Sequence, residues 1–151
     1  MRTLQPIVTR SLWVGLCATT LLVTGCAMKK VTQLTGGQEV PPVSTTATAT
    51  TDISGRHTKC YLASGTTCPT LTGTVWTAGI PATAVHVHQG APGQNGPPIV
   101  TLVKTADGVW SIPQETNITD DQFAAWWNGN LYVNVHTDGN KAGEVRAQLK
   151  P

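Results

Sequence analysis

Charge, aromatic side chains and long apolar runs are all scarce in these 151 residues, and each scarcity excludes something. Only 12% of residues are charged, and from Cys26 onward eight Lys and Arg face eight Asp and Glu with no basic cluster among them. A nucleic-acid binder needs a positive stripe, so nucleic acid is excluded as a partner. One Phe, two Tyr and five Trp leave material for a modest core and a single domain. The apolar stretch 11–23 falls short of the roughly 20 residues that a membrane-spanning helix takes. There is no Gly-x-Ser-x-Gly elbow, no phosphate loop, and no Ser or Cys with an identifiable His and acid partner. A binding or structural module is therefore favoured over an enzyme.

What is present begins with an export segment. Arg2 and Arg10 form a positive start, residues 11–23 an apolar centre, and Val23-Thr24-Gly25-Cys26 has the form of a bacterial lipobox. Small residues before the cysteine let a peptidase approach the backbone. Cleavage there leaves Cys26 as the first residue, its sulfur carrying a diacylglycerol and its amine acylated. Several acyl chains, at about 0.8 kcal/mol per buried methylene, make stable anchoring where one chain does not. The division expected is 1–25 lipoprotein signal peptide, 26–33 lipidated cysteine and tether, and 34–151 the folded domain. The membrane is then a partner through the anchor, and the location is the bacterial cell envelope. Ala27 lacks the Asp that retains lipoproteins at an inner membrane, which points to the outer membrane of a two-membrane cell.

Residues 45–53 alternate, with Ala47, Ala49, Thr51 and Ile53 on one face. Further β-favouring runs follow at 71–77, 82–88, 98–104, 109–112, 131–136 and 144–149, with Gly, Pro or Asn between them. Short strands at this spacing predict an all-β sandwich or barrel. One short helix interrupts them: Thr119 and Gln122 form a capping box, Asp120 and Asp121 suit the positive N-terminus, and Gly129 ends it. Phe123, Trp126 and Trp127 are expected to plug one end of the sandwich. A carbohydrate platform would instead need Trp76, Trp110, Trp126 or Trp127 exposed. Cys60 and Cys68 remain after the signal and the anchor, and in an exported chain they predict a disulfide across a hairpin that turns at Ser64-Gly65.

Alternation also sorts the strongest strands by face. Val85, Val87, Leu131, Val133, Val135, Val145, Ala147 and Leu149 form the core set. The opposite faces carry His86, His88, Tyr132, Asn134, His136, Glu144, Arg146 and Gln148. Two histidines at i and i+2 project the same way, and a third on a neighbouring strand completes a three-imidazole set. Such a set suits copper or zinc, while the lack of thiolates or a carboxylate cage argues against Fe–S and calcium. Glu39 or Glu144 can add a fourth ligand, or orient the ligands from behind together with Asn134 and Arg146. The competing reading is a polar face whose histidines bond locally or pack on the loop 89–98. His57, beside Arg56 and Lys59, is expected to be a surface residue.

Three blocks in order resemble the CHRD domain, a family named for chordin. They are the LTGGQEVPPV block 34–43, AVHVHQG at 84–90 with GQNGPP at 93–98, and GNLYVNVHT at 129–137 followed by GEVRAQL at 143–149. The resemblance implies a Greek-key immunoglobulin-like or superoxide-dismutase-like β-sandwich in which the histidine-bearing blocks meet, and implies no established activity. Segment 56–69, with its cysteine pair, departs from the family pattern, and Ala147 stands where members often have Gly. His86-Val-His88 is also similar to the copper-binding strand of Cu/Zn superoxide dismutases. Their bridging histidine and zinc subsite have no counterpart here, since only His57 is left over. A copper- or zinc-binding protein, with redox activity as an option, is thus the rival to a binding module for a protein or cell-envelope partner.

Overall fold

In the computed structural model, residues 30–60, 66–114 and 116–151 are described. The expected export segment, Cys26 and the expected Ser64-Gly65 turn lie outside them. Among the described residues, eleven strands and one α-helix make an all-β sandwich. Nine strands form one continuous antiparallel ladder: β7 (Pro98–Thr101), β6 (Ala82–Gln89), β10 (Leu131–Thr137), β11 (Val145–Leu149), β1 (Thr32–Thr35), β2 (Thr48–Thr51), β5 (Thr74–Trp76), β9 (Val109–Ser111) and β8 (Val103–Ala106). The hairpin β3 (Ser54–Lys59) and β4 (Thr67–Thr72) stands apart.

The first and last strands of that order, β7 and β8, are consecutive in the chain and separated only by Leu102. The two edges of the sheet must therefore meet. Joining them leaves few unpaired backbone groups exposed and encloses a single core. Leu102 is where the expected strand 98–104 breaks: its N–H bonds Val85 O at 2.9 Å and its side chain is buried.

The core is built from rungs. Val133 lies opposite Val87 on one side and Ala147 on the other, Val135 lies between Val85 and Val145, and Leu131 faces Leu149. All eight expected core residues of these strands are essentially inaccessible. Burying each Val or Leu side chain stabilises by about 1.5–3 kcal/mol relative to exposure, before entropy is counted. Leu34, Ala49, Val75 and Trp110 from the other half of the ladder complete the cluster.

Several element bounds differ from the sequence expectation for local reasons. The run 45–53 shortens to β2 because Thr45 Oγ1 accepts the Ala47 N–H at 3.0 Å, a side-chain bond that competes with the ladder. The run 71–77 splits at Gly73, whose φ of 140° turns the chain from the hairpin into the main sheet. β1 starts at Thr32, inside the stretch read as tether.

Helix α1 (Asp120–Trp127) has the expected capping box: Thr119 Oγ1 accepts the Gln122 N–H at 3.1 Å, and Gln122 Oε1 accepts the Thr119 N–H at 2.9 Å. Trp126 is buried over Gly55, where a Cβ would stand 2.8 Å from the indole, and Phe123 packs beside it. Trp127 corrects the expectation of a three-residue plug, since it is 64% exposed on the outer face of the helix. The Cys60–Cys68 disulfide closes the β3–β4 hairpin with Cα atoms 5.0 Å apart. His57 sits on that hairpin, edge-on to Phe123 with ring centroids 4.4 Å apart. Among the described residues no helix is long and apolar enough to cross a membrane.

Candidate metal centre

The face opposite the valines is polar but far from solvated, because loops fold back over it. Register sets its layout. His86 lies opposite Asn134, which lies opposite Arg146, while His88 lies opposite Tyr132, which lies opposite Gln148. His136 pairs with Ala84, placing its ring diagonally across from His86. Arg146, Tyr132 and Asn134 are almost fully buried, His88 is 9% exposed, and the other two histidines are half-buried.

The three imidazoles converge. His86 Nδ1 is 2.9 Å from His136 Nε2, and one nitrogen from each ring falls within 4.8 Å of the others. Metal–nitrogen bonds of about 2.0–2.1 Å in a tetrahedral site put ligand nitrogens about 3.3 Å apart, so small ring movements bring the set to that spacing.

Backbone carbonyls decide which nitrogens are free. A carbonyl only accepts, so the 2.8 Å contact from His88 Nδ1 to Gly96 O and the 2.9 Å contact from His136 Nδ1 to Lys141 O both put the proton on Nδ1. In the neutral rings Nε2 then holds a lone pair. His136 Nε2 uses its lone pair to accept from His86 Nδ1–H. His88 Nε2 is buried and makes no hydrogen bond within 3.5 Å, with Asn134 the polar side chain that bears on the ring. A buried polar atom left alone costs about 1–3 kcal/mol, and a cation would relieve that cost. Imidazoles whose far nitrogen donates to a backbone carbonyl have the arrangement typical of metal ligands.

Burial favours the neutral form of His86 and His88. Burial pushes His86 below the usual histidine range, and the nearby His136 and His88 push it further. Burial also lowers His88, against the opposing pull of the Gly96 carbonyl. Neutral imidazole is the form that binds a metal.

The supporting residues act through loops. Arg146 lies 3.4 Å above the centre of the Tyr132 ring, and His88 stacks on Tyr132 at 4.8 Å and 11°. Arg146 also donates to Gln94 O at 2.9 Å and Asn95 Oδ1 at 3.2 Å, holding the loop that presents Gly96 O to His88. Glu144 accepts from Thr45, Thr137 and Asn140, and the bonds from Thr45 and Asn140 hold its carboxyl below the usual range. It fixes the turn that presents Lys141 O to His136. Both its oxygens are engaged, so it orients the site rather than supplying a fourth ligand. Glu39 also stays outside the ligand group, buried against Asn134 and beneath Gly143. Burial raises its carboxyl to about 7, opposed mainly by the charge of Arg146.

The fold class and the convergence of the histidine-bearing blocks both match what the CHRD resemblance implies. The CHRD domain profile matches residues 31–149. The chain belongs to the CHRD family. No curated protein and no solved structure matches it. Within this CHRD domain, alternation of side chains located all three histidines and their neighbours Tyr132, Asn134 and Arg146. It could not locate the Gly96 and Lys141 carbonyls that set the tautomers, because backbone acceptors leave no mark in side-chain pattern. Trp110 and Trp126 are buried, while Trp76 on β5 and Trp127 on α1 are exposed on separate elements, an arrangement that offers no paired aromatic platform.

Proposed function

We propose that this CHRD domain is the exported, lipid-anchored part of a bacterial envelope protein and that it binds one Cu(II) or Zn(II) through His86, His88 and His136. The observation that carries the metal reading is the convergence of the three imidazoles, one ring nitrogen from each lying within 4.8 Å of the others, with His88 Nε2 buried and unbonded. A solvated histidine face would leave such an atom to water. Three neutral imidazoles leave a coordination position open, and two of them are half-exposed, so a small ligand can reach the bound ion. Lipidation at Cys26 rests on the lipobox and the preceding apolar stretch.

Metal analysis of the purified chain after loading with Cu(II) or Zn(II) and gel filtration tests the site. One equivalent per chain is expected, lost in His88→Ala and retained in His57→Ala. Equal uptake by the two variants would end the three-histidine reading.

A further inference from the structure

Register gathers several chain segments at one end of the sandwich. β1 is antiparallel to β11 with Thr35 opposite Arg146, and β10 begins with Leu131 opposite Leu149. The start of β1, the end of β11 and the end of α1 therefore lie together. Two contacts hold them: Lys30 Nζ donates to Pro151 O at 3.0 Å, and Gly129, just past α1, lies against Lys150, whose Cγ would be 3.8 Å from a Cβ built there.

The same end carries the two most exposed large apolar side chains among the described residues, Trp127 at 64% and Val31 at 58%. Lys30 and Lys150, both exposed, flank them. Tryptophan beside lysine is the composition favoured where one part of a side chain meets hydrocarbon and another meets phosphate. The acidic pair Asp120 and Asp121 is at the other end of α1, about 10 Å away along the helix. No such pairing of exposed apolar and basic residues is needed to fold the domain, since neither Trp127 nor Val31 belongs to the core cluster.

Chain length then says what covers this end. Five residue steps separate Cys26 from Val31, and even fully extended they span only about 17 Å. A lipidated Cys26 would keep Val31 and Trp127 within reach of the headgroup layer at all times. We infer that Trp127 and Val31, with Lys30 and Lys150, form a docking surface for the phospholipid headgroup layer beside the anchor. This rests on the lipidation reading and is independent of the metal site. His136 lies five residues along β10 from Leu131, about 16 Å toward the opposite end, whereas His88, opposite Tyr132, lies near the docking end.

The test uses the full chain, expressed with its anchor, extracted in detergent and reconstituted into phosphatidylcholine–phosphatidylglycerol vesicles with brominated acyl chains, which quench tryptophans at the interface. Quenching is expected in the unaltered protein and in Trp76→Phe, and its loss is expected in Trp127→Phe. Equal quenching in Trp127→Phe and the unaltered protein would overturn the docking surface. Mass spectrometry of the N-terminal peptide separates the two failures. Lipid on Cys26 without Trp127 quenching removes docking alone, whereas an unlipidated Cys26 removes the anchor reading and docking with it.

Discussion

Replacing Glu39 by Gln isolates the cost of a buried carboxylate behind the histidine face. Glu39 is 6% exposed, with Asn134, Arg146 and Glu144 the groups that bear on its charge, and burial raises its carboxyl from 4.5 to about 7. A carboxyl raised on folding adds stability that is fully present below the unfolded value of 4.5 and is lost as pH rises through about 7. That interval, at about 1.4 kcal/mol per pH unit, amounts to about 3 kcal/mol of lost stability by pH 8. The amide introduced by the substitution has the same shape as the carboxyl and carries no such penalty. Glu39→Gln should therefore match the unaltered protein near pH 4.5 and exceed it at pH 8 by up to about 3 kcal/mol, an increase in melting temperature on the order of 10 °C for a domain of this size. His86 and His88 act in the opposite direction, losing stability as pH falls below 6.5 through their lowered values, but they do so equally in both proteins. Urea titrations at pH 4.5, 6, 7 and 8 with a chelator present measure the difference directly. A difference that stays constant with pH would refute the assignment of a buried, protonatable Glu39.

Three further outcomes are expected. Because His86 and His88 lie below the ordinary histidine value, protons should begin to compete with metal only below pH 6.5, so equilibrium dialysis should give the same Zn(II) uptake at pH 6.5 and 7.5 and less at pH 5.5. Gly143→Ala would put a Cβ 2.5 Å from Glu39 Oε1 at a φ of 145°, and the chain should lose about 2 kcal/mol or more in denaturant titration together with metal uptake, as the turn bearing Lys141 O moves away from His136. Joint replacement of Cys60 and Cys68 by Ser opens a short loop, so stability should fall by about 2–3 kcal/mol while metal uptake by the folded protein is unchanged.

Much of this domain was readable in advance because a strand has a period of two. That period assigned Val85 and Val87 to the interior and His86 and His88 to the other face without knowledge of any partner strand. The capping box at Thr119 was likewise a local matter of four residues. Local rules stopped where chemistry came from elsewhere in the chain. Nothing in the spacing of residues 98–104 shows that Leu102 carries the chain from one edge of the sheet to the other, because both edges must exist before they can meet. Trp126 and Trp127 both stand at helical spacing from Phe123, yet only packing against Gly55 decides which indole is covered.

The division between the two levels is therefore physical. Local residue pattern specifies which side of each strand is apolar, where the helix begins, which cysteines are free to pair and where three histidines stand on polar faces. Folding of the whole chain is what pairs β6 and β10 in the register that brings His86 within 2.9 Å of His136 and closes loops over that face. Alternation is a property of one strand, whereas register and loop closure minimise the free energy of the whole chain at once. Those two choices turn three separated imidazoles into a cluster with a buried, unbonded nitrogen.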